Sequence, residues 1–432
     1  MFEFLDRHAT SCGVVDLGPA VIHLRGRLLA RVSALRRAWL VSAAALIIVA
    51  AVLLALSLRA APPTQVLSNF ETQNSASIVR DCGFSQPLPT DPTRSLWLFC
   101  DSDIYGFNSK RQWTRSRIID GSTAAEGPVT PGTAPDGLSE LAKPGTGIRP
   151  IPNDDAPEQF LPTPSGLYTA TGLPCDQAHG AYAASWISGV TSDAARSADV
   201  LISFNDVCVS IGSGRAAVEG FGLTEYDPAA NTLDRPVTVF RATKGQTIAA
   251  QEALGSPLFF GGNLYLFGSR CAEMYDATCL PHGGNAVYLA RVTANPAAWA
   301  NPGSYRWYAG HSEWTATAPG AVSILPESRP LAISVEDFGD VGKGLVLIEQ
   351  TNDVGAFTVY RGTRPTGDWV ETTSGTVACT TEGVSFCRAI IGHPELSTSD
   401  KLFLTYFNPG AAPYDNPSAY PEGHVMAADV PW

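Results

Sequence analysis

Beyond residue 76 the chain repeats one pattern, a short strand-like segment followed after a turn by a more apolar one. SIVRDCGF precedes SLWLFCDS, AASWISGV precedes DVLISFND, and GSPLFF precedes NLYLFGSR. AISVEDFG then precedes GLVLIEQT, and GHPELS precedes DKLFLTYF. β-Branched and aromatic residues bounded by Gly, Pro, Asn and Asp are strand chemistry, so each pair reads as an inner hairpin. Later strands keep the beat as TVFRATK, VYLARVT, FTVYRGT and GHVMAADV, the second and third leading to Trp-containing segments at YRWY and GDWV. No sustained helical periodicity appears in this region. Five beats of about 74 residues exceed the roughly 40–45 of compact propeller repeats, which predicts an all-β, five-bladed propeller over 77–432 with long insertions. A pair of β-sandwiches is the alternative architecture. The insertion is placed at about 107–175, densest in Pro and Gly between Gly121 and Gly172, and reads as an irregular loop over the propeller.

A different pattern precedes the repeats. Trp39 to Leu58 is a run of twenty residues without a charge, and as a helix it is about 30 Å long, the thickness of a hydrocarbon core. Five arginines, Arg25, Arg27, Arg31, Arg36 and Arg37, stand before it and only Arg59 closely after it. The positive-inside rule then predicts a cytoplasmic basic tail (1–37), a transmembrane helix (38–58), a linker (59–76) and an extracytoplasmic domain. A cleaved signal peptide is the competing reading, but the basic region is long and the small pair Ala55 and Ser57 falls inside the apolar run. Both readings export the domain to the cell envelope. Val21, Leu24, Leu28, Val32 and Leu35, with arginines between, fit either a basic amphipathic helix on the inner leaflet or a topogenic cluster alone.

The net charge of −12 includes a balance of +3 over residues 1–58, leaving −15 outside. That acidity argues against nucleic acid as a partner and is neutral towards sugars. Of nine cysteines, Cys12 lies on the expected cytoplasmic side. Eight remain, an even number suited to four disulfides in an oxidising compartment. Sequential pairing is the economical arrangement: Cys82 with Cys100, Cys175 with Cys208, Cys271 with Cys279 and Cys379 with Cys387. Zinc would be the rival, but no CxxC spacing supports it.

The most informative local chemistry is RDCGF followed by FCDSD. If Cys82 faces Cys100 across a hairpin, the register sets Asp81 directly opposite Asp101. Opposed carboxylates destabilise a strand pair unless one is protonated, a cation lies between them, or the two do acid/base work such as glycoside hydrolysis. The bland reading is that one of them caps a turn or pairs with Arg80. Further candidates for a central substrate site are Trp186, Asp206, Glu336, His393 and Glu395. Trp186 would stack on a sugar or pack in the core. Glu336, its neighbour Asp337 and Glu395 could equally be turn residues, and His393 a hydrogen-bonded core residue. Trp307, Trp314 and Trp369 fall in outer-strand positions and read as packing. There is no phosphate loop, no GxSxG elbow and no zinc signature.

RDCGFSQPL followed by LWLFCDSD resembles the "RDGG-S-x-L … LW-x-FGDT" opening of an actinobacterial five-bladed propeller family. That family was formerly of unknown function and is related to glycoside hydrolases that include mycobacterial endo-D-arabinanases. The likeness continues through LGSPLFFGGNLYLFG, VYLARV, WANPGSYRWY, VLIEQTN, RPTGDW, GHPELST and LFLTYFNP, covering most of 77–432. It departs at Cys100, where the family opening has glycine, and at Ser102, where it has threonine. The resemblance implies catalytic roles for Asp81 and Asp101 and a cell-wall furanoside, arabinan-like, as substrate. The cysteine pair would equally rigidify a non-catalytic relative that scaffolds glycans or proteins of the envelope. No cofactor is expected, the one addition considered being a structural cation in the central channel, and the sequence is silent on oligomeric state.

Overall fold

The computed structural model describes residues 64–66 and 78–432, except 111, 136, 148–156, 270–272, 275–285, 327, 329, 381–386 and 411–422. Among these residues no helix is long and apolar enough to cross a membrane. The expected span at 38–58, its basic tail and Cys12 lie outside them.

The five sequence hairpins become the inner halves of five antiparallel blades. Blade 1 runs outward as β2 (Ile78–Leu88), β3 (Asp91–Phe107), β5 (Thr123–Pro128) and β6 (Ser139–Glu140), with β4 (Trp113–Ile119) pairing the far half of β3. Blade 2 is β7 (Ala181–Ser192), β8 (Val200–Ser210), β9 (Ala216–Asp227) and β10 (Thr232–Leu233), and β11 (Val237–Arg241) and β14 (Glu273–Met274) also pair β9. Blade 3 is β12 (Gly255–Phe260), β13 (Asn263–Gly268), β15 (Tyr288–Thr293), β16 (Arg306–Gly310) and β17 (Glu313–Thr315). Blade 4 is β18 (Ala332–Asp337), β19 (Leu345–Gln350), β20 (Ala356–Gly362) and β21 (Val370–Thr376). Blade 5 is β22 (Arg388–Gly392), β23 (Lys401–Asn408), β24 (His424–Pro431) and, from the opposite end of the domain, β1 (Thr64–Val66). The inner strands touch in turn, β2 to β7, β12, β18, β22 and back to β2, closing a ring of five.

Closure explains why the second strand of each hairpin is the more apolar. These strands have blades on both faces, so they lack polar alternation. Leu96 and Leu98, Val200 and Ile202, Leu264 and Leu266, Val346 and Ile348, and Leu402 and Leu404 are all buried. Each such side chain contributes about 1.5–3 kcal/mol of burial. The outer tryptophans pack as expected, Trp307 buried and Trp314 and Trp369 against the core shared by blades 3 and 4.

Three disulfides form as expected, Cys82–Cys100, Cys175–Cys208 and Cys379–Cys387. Cys271 and Cys279 lie among the residues not described. Three sequence expectations need correction. The Pro/Gly-rich stretch is not irregular throughout, because it supplies β4, β5 and β6. The third strand of blade 2 is β9, whereas TVFRATK pairs outside it as β11. The inner strand of blade 5 is Arg388–Gly392, and HPEL forms the turn after it.

Candidate functional site

The Cys82–Cys100 bond does not bring Asp81 opposite Asp101. Arg80 pairs with Ser102, but Cys82 then pairs with Phe99 through bulges on both sides, leaving Asp81 in the bulge. Cys82 takes a φ of 68°, which is costly for a residue other than glycine and clusters at functional sites. Arg80 and Asp81, adjacent at the bulge, have different partners. Arg80, buried and lying over the Phe99 ring, pairs with Glu140. Asp81 instead pairs with Arg388 of β22, whose Nε donates to Oδ2 at 2.8 Å, and its Oδ1 accepts from the Cys82 amide. The side chains of Asp81 and Arg388 remain 18% and 22% exposed, so solvent reaches this pair.

Asp101 has a different environment. Its Oδ1 accepts from the Gly121 amide at 2.6 Å and the Trp186 indole N–H at 2.8 Å, and its Oδ2 accepts from the Tyr182 hydroxyl at 2.7 Å. Tyr182 and Trp186 lie four residues apart on β7, so both side chains leave the same face. Gly121 adopts a φ of 117°, a conformation that a side chain would strain. Burial raises the Asp101 pKa from 3.8 to about 7; the three donors oppose the shift and the Asp81 charge adds to it. The neutral form has one natural place for its proton. Two N–H groups that cannot accept saturate Oδ1, whereas the Tyr182 hydroxyl can rotate and accept from Oδ2.

The remaining candidates divide. Trp186 is only 8% exposed, so it holds Asp101 and does not offer a free face for stacking. Asp206 is fully buried and accepts from Ser185 and Thr238, with Arg241 3.5 Å away, knotting β7, β8 and β11. His393 is fully buried, stacked 5.0 Å from Trp97, and bonded by both ring nitrogens, Nδ1 to Ser85 and Nε2 to Thr405. Ser85 also donates to Glu395, so it accepts from Nδ1–H, a tautomer assigned from the network. Burial lowers the His393 pKa to about 3, which keeps the ring neutral. Glu336 is 7% exposed, and burial first and then the charges of Glu395 and Asp337 push its pKa well up. Asp337 caps the Gly339 amide, the turn role expected of it. Among the described residues no group of three or more His, Cys, Asp or Glu is placed to hold a metal ion.

Sequence reasoning missed Tyr182, Gly121 and Arg388. The strand period offered one signal, since Tyr182 shares a face with Trp186. Nothing local marked Gly121, in the link between β4 and β5, or Arg388, the first residue of β22.

No protein-family model matches the chain, and no curated protein matches it. Solved structures match most of its length with differing degrees of likeness. A Bacteroides ovatus protein provisionally described as a hydrolase has a TM-score of 0.51 at 17% identity, covering 81% of this chain and 85% of that one. The GH43_1 enzyme from Xanthomonas citri, solved with xylotriose, has a TM-score of 0.41 at 10% identity, covering 85% and 89%. The catalytic domain of the Coprinopsis cinerea GH62 alpha-L-arabinofuranosidase has a TM-score of 0.42 at 8% identity, covering 86% and 97%. At such identities the first of these likenesses speaks for the fold alone, and the chain is an all-β, five-bladed propeller.

Proposed function

We propose that this chain is a membrane-anchored envelope glycosidase that binds and hydrolyses an arabinan-like furanoside of the cell wall, with Asp101 as acid and Asp81 as its partner carboxylate. The observation that carries the reading is the contrast between the two aspartates. Asp101 sits among donors in a site that raises its pKa to about 7, while Asp81 lies beside it in an ion pair with Arg388. Two carboxyl groups held in unlike environments are what acid and base roles require. Asp101 would protonate the glycosidic oxygen as the C–O bond breaks. Asp81 would meet the anomeric carbon directly or through an activated water. The choice of sugar rests on the sequence resemblance, and the membrane anchor on the uncharged run with its arginines.

A non-catalytic scaffold is the second reading, favoured by the disulfide that braces the Asp81 hairpin and by the engagement of both Asp81 oxygens. Incubation of the protein with arabinofuranose polymers, followed by product analysis, separates the two. New reducing ends that vanish in Asp101→Asn support hydrolysis, whereas binding without any product in the wild type supports the scaffold.

A further inference from the structure

The Pro/Gly-rich segment between blades 1 and 2 forms, with Asp120 and the start of β7, an open cavity of about 420 Å³, within the roughly 300–1,000 Å³ usual for small-molecule sites. Its walls are tied down at several points. The Phe160 and Leu161 amides bond to Ser122, and Arg241 donates to the Ser165 carbonyl. The Tyr168 amide donates to both carboxylate oxygens of buried Glu219, and Cys175 is joined to Cys208. The cavity is therefore formed before any ligand arrives.

Two of its walls lead to Asp101. Tyr182 lines the cavity and donates its hydroxyl to Asp101 Oδ2. Asp120 lines it too, and the next residue, Gly121, donates its amide to Asp101 Oδ1. The Asp120 carboxylate makes no hydrogen bond or ion pair among the described residues, and burial raises its pKa. The other polar groups lining the cavity include Asp176, Gln177 and Ser165, and no Lys, Arg or His lines it. Arg241 and Lys244, the cations in contact with lining residues, are engaged with the Ser165 carbonyl and the Tyr168 ring, so the acidic lining disfavours phosphate, sulfate or uronate ligands. The Asp120 acceptor beside the Tyr168 and Tyr182 rings suits the hydroxyls of a neutral sugar, whereas Asp176 is already engaged by His179.

We infer that this cavity is a subsite for a neutral furanose residue of the polymer, holding the chain next to Asp101 through Asp120 and Tyr182. The inference rests on the furanoside reading for its ligand but not on hydrolysis. The test is calorimetric titration of the protein with neutral arabinofuranoside oligosaccharides of graded length. The variants are Ser165→Trp, which fills the cavity while keeping the backbone carbonyl that Arg241 holds, and Asp120→Ala, which removes the free acceptor. Each is expected to weaken oligosaccharide binding about tenfold or more at unchanged melting temperature, whether or not the wild type cleaves the ligand. Wild-type affinity in both folded variants would overturn the subsite while leaving hydrolysis at Asp101 untouched. Absence of binding and cleavage in the wild type would overturn both.

Discussion

Two acid clusters face the inner strands of this propeller, and they are built in opposite ways. Around Asp101, donors arrive from three directions, a tyrosine and a tryptophan of β7 and the amide of Gly121, and the second carboxylate is held by a separate cation, Arg388. Around Glu336 and Glu395, the nearby histidine is sealed under Trp97 and spends both nitrogens on Ser85 and Thr405. Glu336 has no hydrogen-bond partner among the described residues, and its nearest charges are other carboxylates. Both clusters shift carboxyl pKa values upward, so a shift alone does not mark chemistry. The Asp101 cluster is distinguished by fixed donors around one acid and a differently held carboxylate within reach of solvent.

Asp101→Asn is the sharpest break of this contrast. It should reduce furanoside hydrolysis by about 10²–10⁴-fold, the usual worth of a general acid, while the melting temperature holds or rises. Unfolding of the variant would instead make Asp101 a structural residue. Trp186→Phe removes one donor to Oδ1 and keeps the packing. A loss of about tenfold is expected, from one hydrogen bond to a charged group. The alkaline limb of the pH–rate profile should also move to higher pH, because that donor lowers the pKa. An unchanged limb would remove Trp186 from the positioning of Asp101.

Glu336→Gln tests the other side of the comparison. Hydrolysis should change no more than about twofold, since nothing links Glu336 to the pair, and relief of buried charge should raise stability near neutral pH. A large loss of rate with normal stability would move the chemistry to the second cluster. The smallest expected effect is the pH dependence of melting. Asp101, Glu140 and Glu219 all have folded pKa values near 7, above their ordinary values. Such groups bind protons more tightly when folded, so their stabilisation is present below the ordinary carboxyl range and is lost as pH rises through about 7. The melting temperature should therefore fall from pH 5 to pH 8, and Asp101→Asn should remove part of that fall, about 2–4 °C.

The fold was largely legible because each inner hairpin carries its own β-branched and aromatic residues. What escaped were strands made by their neighbours. In β9, Gly222 lies under Phe204, where a Cβ would come within 2.3 Å of the ring. In β5, Gly127 similarly meets Leu138. At these places packing selects glycine against strand propensity, so a reading by residue type sees turns. The site was half legible. Asp81 and Asp101 stand out beside their cysteines, but the opposed register inferred from the disulfide fails because a bulge at Cys82 leaves no sequence mark beyond the adjoining Gly83. Arg388 and Gly121 join the aspartates only through closure of the ring and the return of the chain after β4, which no local pattern encodes.

Asp101, held by Tyr182, Trp186 and Gly121, is expected to exchange its proton near neutrality. Carbon-13 NMR titration of the aspartate carboxyl groups, with the Asp101 signal assigned by its loss in Asp101→Asn, measures this directly. A midpoint near 7 is the predicted result. A midpoint at or below about 4, the ordinary aspartate value, would mean that the three donors outweigh burial and would contradict the proposed role of Asp101 as the acid.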